Sequence, residues 1–351
     1  MQKKNIKAIL EYLAKHHGTP VKFLGLSPFS NEKKGLRRLF LLRYEVDGKE
    51  KKLLLKTFAT TGLPLDGQWA AMIRACVFTD PFRTRTLGVF VDQGDRSAVI
   101  EEFRHVYLLE EYAAGELFAQ DLLAVTQIGW SEKTATRVKV LAKTLAEIHK
   151  TECRDRSLAS YMRTLYGGDF GLWAHLDANK SSAPEWQENV IQQSFQWRTI
   201  LLTALPYPRC IHGDCHAWNI IFTSDEKIKV TGVQHTDYGL PADDIAAFTI
   251  NFFSFAIQYP EQKDVWQNLY TIFLDEYLSQ CSGEDQRSML MTLPFFLGWR
   301  AAILSNPQFN QGISKISELF KEFAQNMFAM QEFIPCERYR QMITAITGFV
   351  A

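Results

Sequence analysis

The sequence predicts an α+β protein with two lobes, a small β-rich lobe over residues 1–112 and a larger helical lobe over residues 113–351. A chain of 351 residues exceeds what one small core normally holds, which favours two domains or lobes. The first third of the chain contains short apolar runs separated by turn residues, as strands do. Later apolar residues recur at three- and four-residue spacing, which is typical of amphipathic helices.

The predicted strands of the first lobe follow one another with turn signals between them. Asp47-Gly48 supplies a hairpin turn between the second strand and the third. A short amphipathic helix over residues 8–13 precedes the first strand, and residues 66–77 have helical spacing. The predicted strands cover residues 21–26, 39–46, 52–58, 87–91, 98–103 and 107–112.

The second lobe begins after Ala113-Ala114-Gly115, which ends the last of these strands. Residues 132–150 carry apolar side chains at three- and four-residue spacing and predict an amphipathic helix. From residue 185 onward the pattern is mostly helical, apart from a predicted hairpin over residues 219–234.

Composition and charge exclude several classes of protein. The 39 basic and 39 acidic residues balance, so no electrostatic argument favours nucleic acid or an anionic membrane as partner. No stretch reaches the roughly 18 apolar residues of a membrane span, and the N-terminus lacks the features of a signal peptide. Six scattered cysteines without a Cys-x-x-Cys pair favour free thiols in a reducing compartment. We therefore expect a cytoplasmic protein.

The most informative segment is residues 211–222, Ile-His-Gly-Asp-Cys-His-Ala-Trp-Asn-Ile-Ile-Phe. Asp214 is followed five residues later by Asn219, directly before an apolar run with strand character. Phosphoryl transfer from a nucleotide needs a carboxylate that orients the acceptor hydroxyl or accepts its proton. It also needs oxygen ligands that hold a magnesium ion on the phosphates. One short loop offers both groups here.

This segment resembles the catalytic loop of the aminoglycoside phosphotransferase and choline kinase-like family, whose pattern is His-Gly-Asp-x-x-x-x-Asn. The resemblance spans roughly residues 20–255 and implies a two-lobed protein kinase-like fold. It implies ATP and Mg²⁺ as cofactors and a small-molecule hydroxyl as acceptor. Asp214 would then be the catalytic residue and Asn219 a magnesium ligand, while His212 and His149 would have structural roles.

Lys56 ends the apolar strand Leu53-Leu54-Leu55, where kinase-like folds place a lysine that contacts the nucleotide phosphates. The alternative is a solvent-facing lysine on a lysine-rich strand. In the family a glutamate from the following helix pairs with that lysine, but the predicted helix offers none. The candidates that remain open as its partner are Asp66, Gln68, Glu101 and Glu102.

The segment Leu109-Glu110-Glu111-Tyr112, followed by Gly115-Glu116, resembles the family's hinge between the lobes. In that hinge, backbone N–H and C=O groups bind the edge of the adenine ring. The resemblance therefore assigns nucleotide binding to Glu110, Glu111 and Tyr112.

The second magnesium ligand is the point at which the sequence departs from the family. Counting back from Tyr238-Gly239-Leu240-Pro241-Ala242-Asp243-Asp244 and counting 13 residues forward from Asn219 both place Gly232 where the family has a metal-binding aspartate. Glycine has no side chain with which to bind an ion. A shifted alignment would make Asp237 the ligand instead. Asp244 is interpreted as a structural carboxylate at a helix start.

Three functions remain open at this point. The leading one is an ATP-dependent phosphotransferase acting on a small molecule, with weakened or rearranged metal use. The second is a catalytically degenerate pseudokinase that binds a nucleotide or metabolite or serves as a scaffold. The third is a protein kinase of the bacterial stress-response type, whose catalytic loop is also similar. Aromatic residues near the C-terminus, together with Arg300, are candidates for an acceptor wall. The acceptor, the oligomeric state and an introduced Asp-to-Gly change at residue 232 stay open.

Overall fold

A computed structural model describes the chain over most of its length. The described residues are 3–29, 37–59, 84, 86–92, 105–168, 171–180, 182–232, 236–309, 313–332 and 335–342. The chain divides into two compact units, Met1–Ala114 and Gly115–Ala351. The predicted helix over residues 66–77 and the predicted strand over residues 98–103 lie outside the described residues.

The first unit contains a five-stranded antiparallel sheet in the order β1-β2-β3-β5-β4. The Asp47-Gly48 turn joins β2 to β3, as its sequence predicts, and both turn residues have positive φ angles. The elements are α1 (Lys3–His17), β1 (Lys22–Pro28), β2 (Arg37–Val46), β3 (Lys49–Ala59), β4 (Thr86–Asp92) and β5 (His105–Glu111).

Helix α1 covers one face of this sheet. Its buried side chains Ile9 and Leu13 pack against alternate residues of the strands, among them Leu53 and Leu55 of β3. Since side chains of a strand alternate between faces, Leu54 and Lys56 belong to the opposite face. The sheet face without α1 therefore carries the predicted nucleotide-binding lysine.

The second unit is mostly helical and holds two small sheets, with strand orders β6-β8-β9 and β10-β7. The strands are β6 (Glu116–Leu117), β7 (Arg209–Cys210), β8 (Ile220–Phe222), β9 (Ile228–Val230) and β10 (Tyr238–Gly239). The helices are α2 (Phe118–Ile128), α3 (Glu132–His149), α4 (Leu158–Gly167), α5 (Leu172–Ala178), α6 (Pro184–Gln196), α7 (Arg198–Thr203), α8 (Pro241–Gln258), α9 (Lys263–Ser279), α10 (Gly283–Leu304), α11 (Ser314–Ala329) and α12 (Cys336–Arg340).

Helix α8 forms the centre of the helical unit, since nearly all of its side chains are buried. It packs against α9 and α10, while α9 also packs against α3 and α10 against α11. The predicted helix over residues 132–150 is confirmed as α3, whose N-cap Ser131 accepts a hydrogen bond from the Thr134 N–H. None of the helices within the described residues is long and apolar enough to cross a membrane.

The predicted α+β fold class is confirmed: an antiparallel sheet comes first and a mostly helical region follows. The predicted hairpin over residues 219–234 is present as β8 and β9. Helix α2 was not predicted, because its sequence follows directly on a strand and a glycine turn without a side-chain cap.

Candidate functional site

The loop of residues 211–219 lies between two short strands of the helical unit. Its first residue, Ile211, donates its N–H to the carbonyl of Asp237 at 3.1 Å, next to the pairing of β7 with β10. Its last residues form a single 3₁₀ turn, Ala217–Asn219, that leads directly into β8. The loop is therefore held at both ends by strand pairing.

Gly213 gives this loop its sharp turn. Its φ angle of 79° lies in the left-handed region, and a Cβ atom at this position would collide with the carbonyl oxygen of Thr236. Glycine adopts this conformation without the steric cost that other residues carry. The His-Gly-Asp spacing of the motif thus has a backbone reason as well as a chemical one.

Asp244, in the first turn of α8, holds the backbone of the same turn. Its two carboxylate oxygens accept the N–H groups of His212 at 2.6 Å and of Gly213 at 2.8 Å. The Nε2 atom of His149 lies 3.2 Å from the same carboxylate. The structural roles predicted for Asp244 and His149 are confirmed by these contacts.

Burial of Asp244 acts to raise the pKa of its carboxyl. The hydrogen bonds and positive potential from His149 and His212 outweigh burial, so the pKa of Asp244 lies below its ordinary value. His149 is held in turn by Tyr277, whose hydroxyl lies 2.8 Å from Nδ1. Helices α3, α8 and α9 therefore all contribute to the support of the loop.

The Asp214 carboxylate is buried, and each oxygen has different neighbours. Oδ1 accepts a hydrogen bond from Nη1 of Arg300 at 3.2 Å. Oδ2 lies 3.4 Å from Nδ2 of Asn219 and 3.5 Å from Nε2 of His216. Arg300 was predicted only as part of an acceptor wall, and its pairing with Asp214 was not foreseen.

Asn219 faces Asp214 with its amide nitrogen. Nδ2 donates to the Asp214 carbonyl at 2.9 Å and lies 3.1 Å from Nε2 of His216. Its oxygen points toward Gly232, where a Cβ atom would lie 3.4 Å from Oδ1. Gly232 is held there by its neighbour Thr231, whose N–H donates to the Asn219 carbonyl at 2.8 Å.

This geometry tests whether the residues fit a magnesium ion. Asn219 offers one amide oxygen beside Gly232, which has no side chain, although magnesium sites commonly use one or two carboxylates. No group of three or more His, Cys, Asp or Glu residues suited to a metal occurs within the part of the chain that the structure describes. The described residues therefore do not fit a magnesium site with the family's usual pair of protein ligands.

Asp237 lies directly before β10 and is buried. Its carbonyl accepts the Ile211 N–H, so its backbone takes part in holding the loop. Its assignment as the second metal ligand stays a prediction.

Asp243 joins the site through contacts that the sequence did not indicate. Its Oδ1 accepts from Nη2 of Arg300 at 2.8 Å, and its Oδ2 accepts from the Tyr161 hydroxyl at 2.9 Å. Burial raises the pKa of Asp243 to about 6, with Arg300 acting in the opposite direction. The only sequence signal was a second carboxylate next to Asp244 at the start of an otherwise apolar helix.

In the first unit, Lys56 is paired with a glutamate that the sequence assigned to another role. Its Nζ lies 2.6 Å from Oε2 of Glu110, a side chain that is only 2% exposed. Leu54 is the direct partner of Glu110 across β3 and β5, so Lys56 is a diagonal neighbour on the same face. The sequence-based candidates for this partner, Asp66, Gln68, Glu101 and Glu102, lie outside the described residues.

The other two hinge candidates differ in orientation. Glu111 pairs with Leu53, so its side chain belongs to the face covered by α1. Tyr112 follows β5, with Nζ of Lys52 lying 5.7 Å from its ring centre and the Phe29 ring at 5.9 Å. Binding of adenine by the backbone of residues 109–112 stays a prediction, since it does not depend on these side chains.

Comparison with known proteins identifies a family. Residues 103–277 match the pattern described as the phosphotransferase enzyme family, and this range contains the whole loop of residues 211–222. No curated protein sequence matches the chain.

Solved structures of similar fold cover nearly the whole chain at low sequence identity. An ethanolamine kinase from Plasmodium vivax is 14% identical with a TM-score of 0.54, over 97% of this chain and 91% of that one. The aminoglycoside phosphotransferase APH(3'')-Id from Streptomyces rimosus, in complex with ADP and streptomycin, is 13% identical with a TM-score of 0.51, over 85% of this chain and 98% of that one. A thermostable mutant of the aminoglycoside phosphotransferase APH(4)-Ia, in a ternary complex with ADP and hygromycin B, is 13% identical with a TM-score of 0.50, over 92% and 98%.

Proposed function

The chain belongs to the phosphotransferase enzyme family through residues 103–277, and we propose that it transfers the γ-phosphoryl group of ATP to a hydroxyl group of a small molecule. The observation that carries this proposal is the Asp214 carboxylate. It is buried, bonded at Oδ1 to Arg300, and part of a loop whose backbone is held by Asp244. Phosphoryl transfer depends mainly on positioning and charge, which a carboxylate fixed in this way provides.

Asp214 is the residue that acts on the acceptor. Its Oδ2 accepts a hydrogen bond from the acceptor hydroxyl and aims the hydroxyl oxygen at the γ-phosphorus. The new O–P bond forms as the bond to the β–γ bridging oxygen breaks, and ADP leaves with the electron pair. The hydroxyl proton passes to the Asp214 carboxylate.

The nucleotide is assigned to the groups that the sequence predicts. Lys56 contacts the phosphates, and the backbone of residues 109–112 binds the adenine edge. Glu110 holds the lysine amine in place through the 2.6 Å ion pair. No step is assigned to magnesium, because Asn219 is the single predicted ligand whose geometry suits the ion.

Transfer of radiolabel tests this function and its acceptor class together. The purified protein is incubated with [γ-³²P]ATP and a panel of aminocyclitol antibiotics, ethanolamine, choline and casein. The drugs and ethanolamine enter the panel because structures of similar fold bind or phosphorylate such amines. We expect label on a small molecule, and Asp214→Asn should lower kcat by about 10²- to 10⁴-fold.

Asp225→Asn is the matched control, since it removes an exposed carboxylate from the neighbouring hairpin, where Asp225 contacts only Thr223 and Lys227. Its rate should equal that of the wild type. Label on casein alone would instead indicate the protein kinase alternative. Equal transfer by wild type and Asp214→Asn would exclude the proposed role of Asp214.

A second candidate function is supported by Gly232. Because the described residues offer one magnesium ligand, the protein could bind ATP without transferring its phosphate, as a pseudokinase does. Calorimetry of ATP binding with and without Mg²⁺, alongside the transfer assay, separates the two. Binding without transfer to any acceptor or to water supports the pseudokinase.

A further inference from the structure

Helix α10 brings one permanently charged side chain to the loop. Arg300 is buried, and its planar guanidinium makes three polar contacts on two sides. Nη1 donates to Oδ1 of Asp214 at 3.2 Å, while Nη2 donates to the Gly213 carbonyl at 3.3 Å and to Oδ1 of Asp243 at 2.8 Å. The fixed fork of a guanidinium transmits its own orientation to both carboxylates.

Asp243 is fixed on both of its oxygens. Arg300 donates to Oδ1, and the hydroxyl of Tyr161, a buried residue of α4, donates to Oδ2. Asp243 therefore cannot rotate away from Arg300 without breaking a second buried hydrogen bond. Three helices, α4, α8 and α10, converge on the guanidinium through this contact.

The charges of the cluster show which carboxylates need Arg300. Asp244 is compensated separately by two backbone N–H groups and by His149. Asp214 and Asp243 share Arg300. Removing one partner of a buried ion pair leaves an uncompensated charge, which is strongly unfavourable. Loss of Arg300 would thus leave two buried carboxylates close together.

We propose that Arg300 and Asp243 form a positioning pair that holds Oδ1 of Asp214 and leaves Oδ2 for the acceptor hydroxyl. This inference rests on the proposed function, because it explains how Asp214 is oriented for that reaction. Arg300 and Asp243 are positioning residues: they act through Asp214. Neither the loop motif nor the metal site contains them.

The orientation matters because only one oxygen of Asp214 is then free of a cation. Oδ2 has Asn219 and His216 at 3.4 and 3.5 Å, longer than a strong hydrogen bond, so an acceptor hydroxyl can compete for it. A displacement of about 1 Å in a reacting group can lower a rate by about 10²-fold.

A kinetic double-mutant cycle tests the inference. Arg300→Gln should lower kcat by about 10- to 100-fold in the wild-type background and leave the KM for ATP unchanged. If Arg300 acts through Asp214, the same substitution in the Asp214→Asn background should change kcat by less than about threefold. Asp243→Asn should reproduce the effect more weakly, because Arg300 keeps its contact with Asp214. Arg300→Lys, which keeps the charge and loses the fork, should recover only part of the loss.

Arg137→Gln is the matched control for disruption of a buried ion pair. Arg137 is also buried and pairs with Glu226, Glu116 and Asp121, away from the loop of residues 211–219. This variant should lower the melting temperature and leave kcat at the wild-type value when assayed below the transition. A fall in kcat for Arg137→Gln equal to that for Arg300→Gln would overturn the inference. So would equal kcat losses for Arg300→Gln in the two backgrounds.

The inference and the proposed function fail in distinguishable ways. If the wild type transfers phosphate to no acceptor and to no water, the proposed function fails. The melting temperatures of Arg300→Gln, Asp214→Asn and the double variant then test the pair itself. A double variant whose melting shift differs from the sum of the single shifts supports the pair, and additive shifts contradict it.

Discussion

At the scale of the residue, the site depends on how one carboxylate is divided between partners. Asp244 spends both oxygens on the loop backbone, at 2.6 and 2.8 Å, and Asp243, its neighbour in sequence, spends both on side chains. Consecutive positions at a helix start point in different directions, so two adjacent aspartates can serve different groups. One holds the turn, and the other holds Arg300.

Asp244→Asn should destabilise the protein by about 3 kcal/mol, because a buried charge-assisted network loses its anion. The pKa of Asp244 is lowered in the folded state, so its contribution is fully present above the unfolded value of 3.8. That contribution is lost as the pH falls through the lower folded value. Urea unfolding of wild type and variant at several pH values measures this. A stability difference as large at pH 3 as at pH 7 would contradict it.

Gly232→Asp should strengthen magnesium binding by the protein–ATP complex on the order of tenfold, since it adds a carboxylate beside Oδ1 of Asn219. Because φ at Gly232 is 82°, the same change should cost about 1 kcal/mol of stability. Calorimetric titration with Mg²⁺ measures the first effect. Gly232→Ala shares the backbone strain without the carboxylate, so equal magnesium affinities in the two variants would refute the expectation.

At the scale of the element, the first unit depends on α1 covering one face of its sheet. Leu13→Ala should destabilise that unit by about 2–5 kcal/mol, because Leu13 is fully buried against the strands. Lys15→Ala, at an exposed position of the same helix, should change the stability by less than about 0.5 kcal/mol. Urea unfolding followed by circular dichroism compares them. Equal losses for both variants would show that α1 does not pack on the sheet.

Sequence periodicity predicted the elements better than it predicted their contacts. Strands β2 and β3 and helix α3 follow from local pattern and turn chemistry, which a single segment contains. The Lys56–Glu110 ion pair depends on the register between β3 and β5, which neither strand encodes alone. The Arg300–Asp214 contact joins positions 86 residues apart and depends on how α10 packs against α8. The sequence showed these charged groups but not their partners.

At the scale of the whole molecule, the loop of residues 211–222 is the part that the sequence predicted most fully. Its Asp and Asn spacing, its glycine turn and its Asp244 support all follow from the motif and are present in the helical unit. The departure at Gly232 was also visible in the sequence, because spacing alone locates it. What the motif could not supply was the cation beside Asp214.

The central claim is that Asp214 carries phosphoryl transfer, and hydrolysis of ATP by water tests it without knowledge of the acceptor. The steady-state rate of ADP formation at saturating ATP is measured for wild type and Asp214→Asn, with ATP binding checked by calorimetry. We predict a slow wild-type hydrolysis that falls by about 10²-fold or more in Asp214→Asn, with similar ATP affinity. Equal hydrolysis by the two proteins, or a wild type that binds no ATP, would contradict the account.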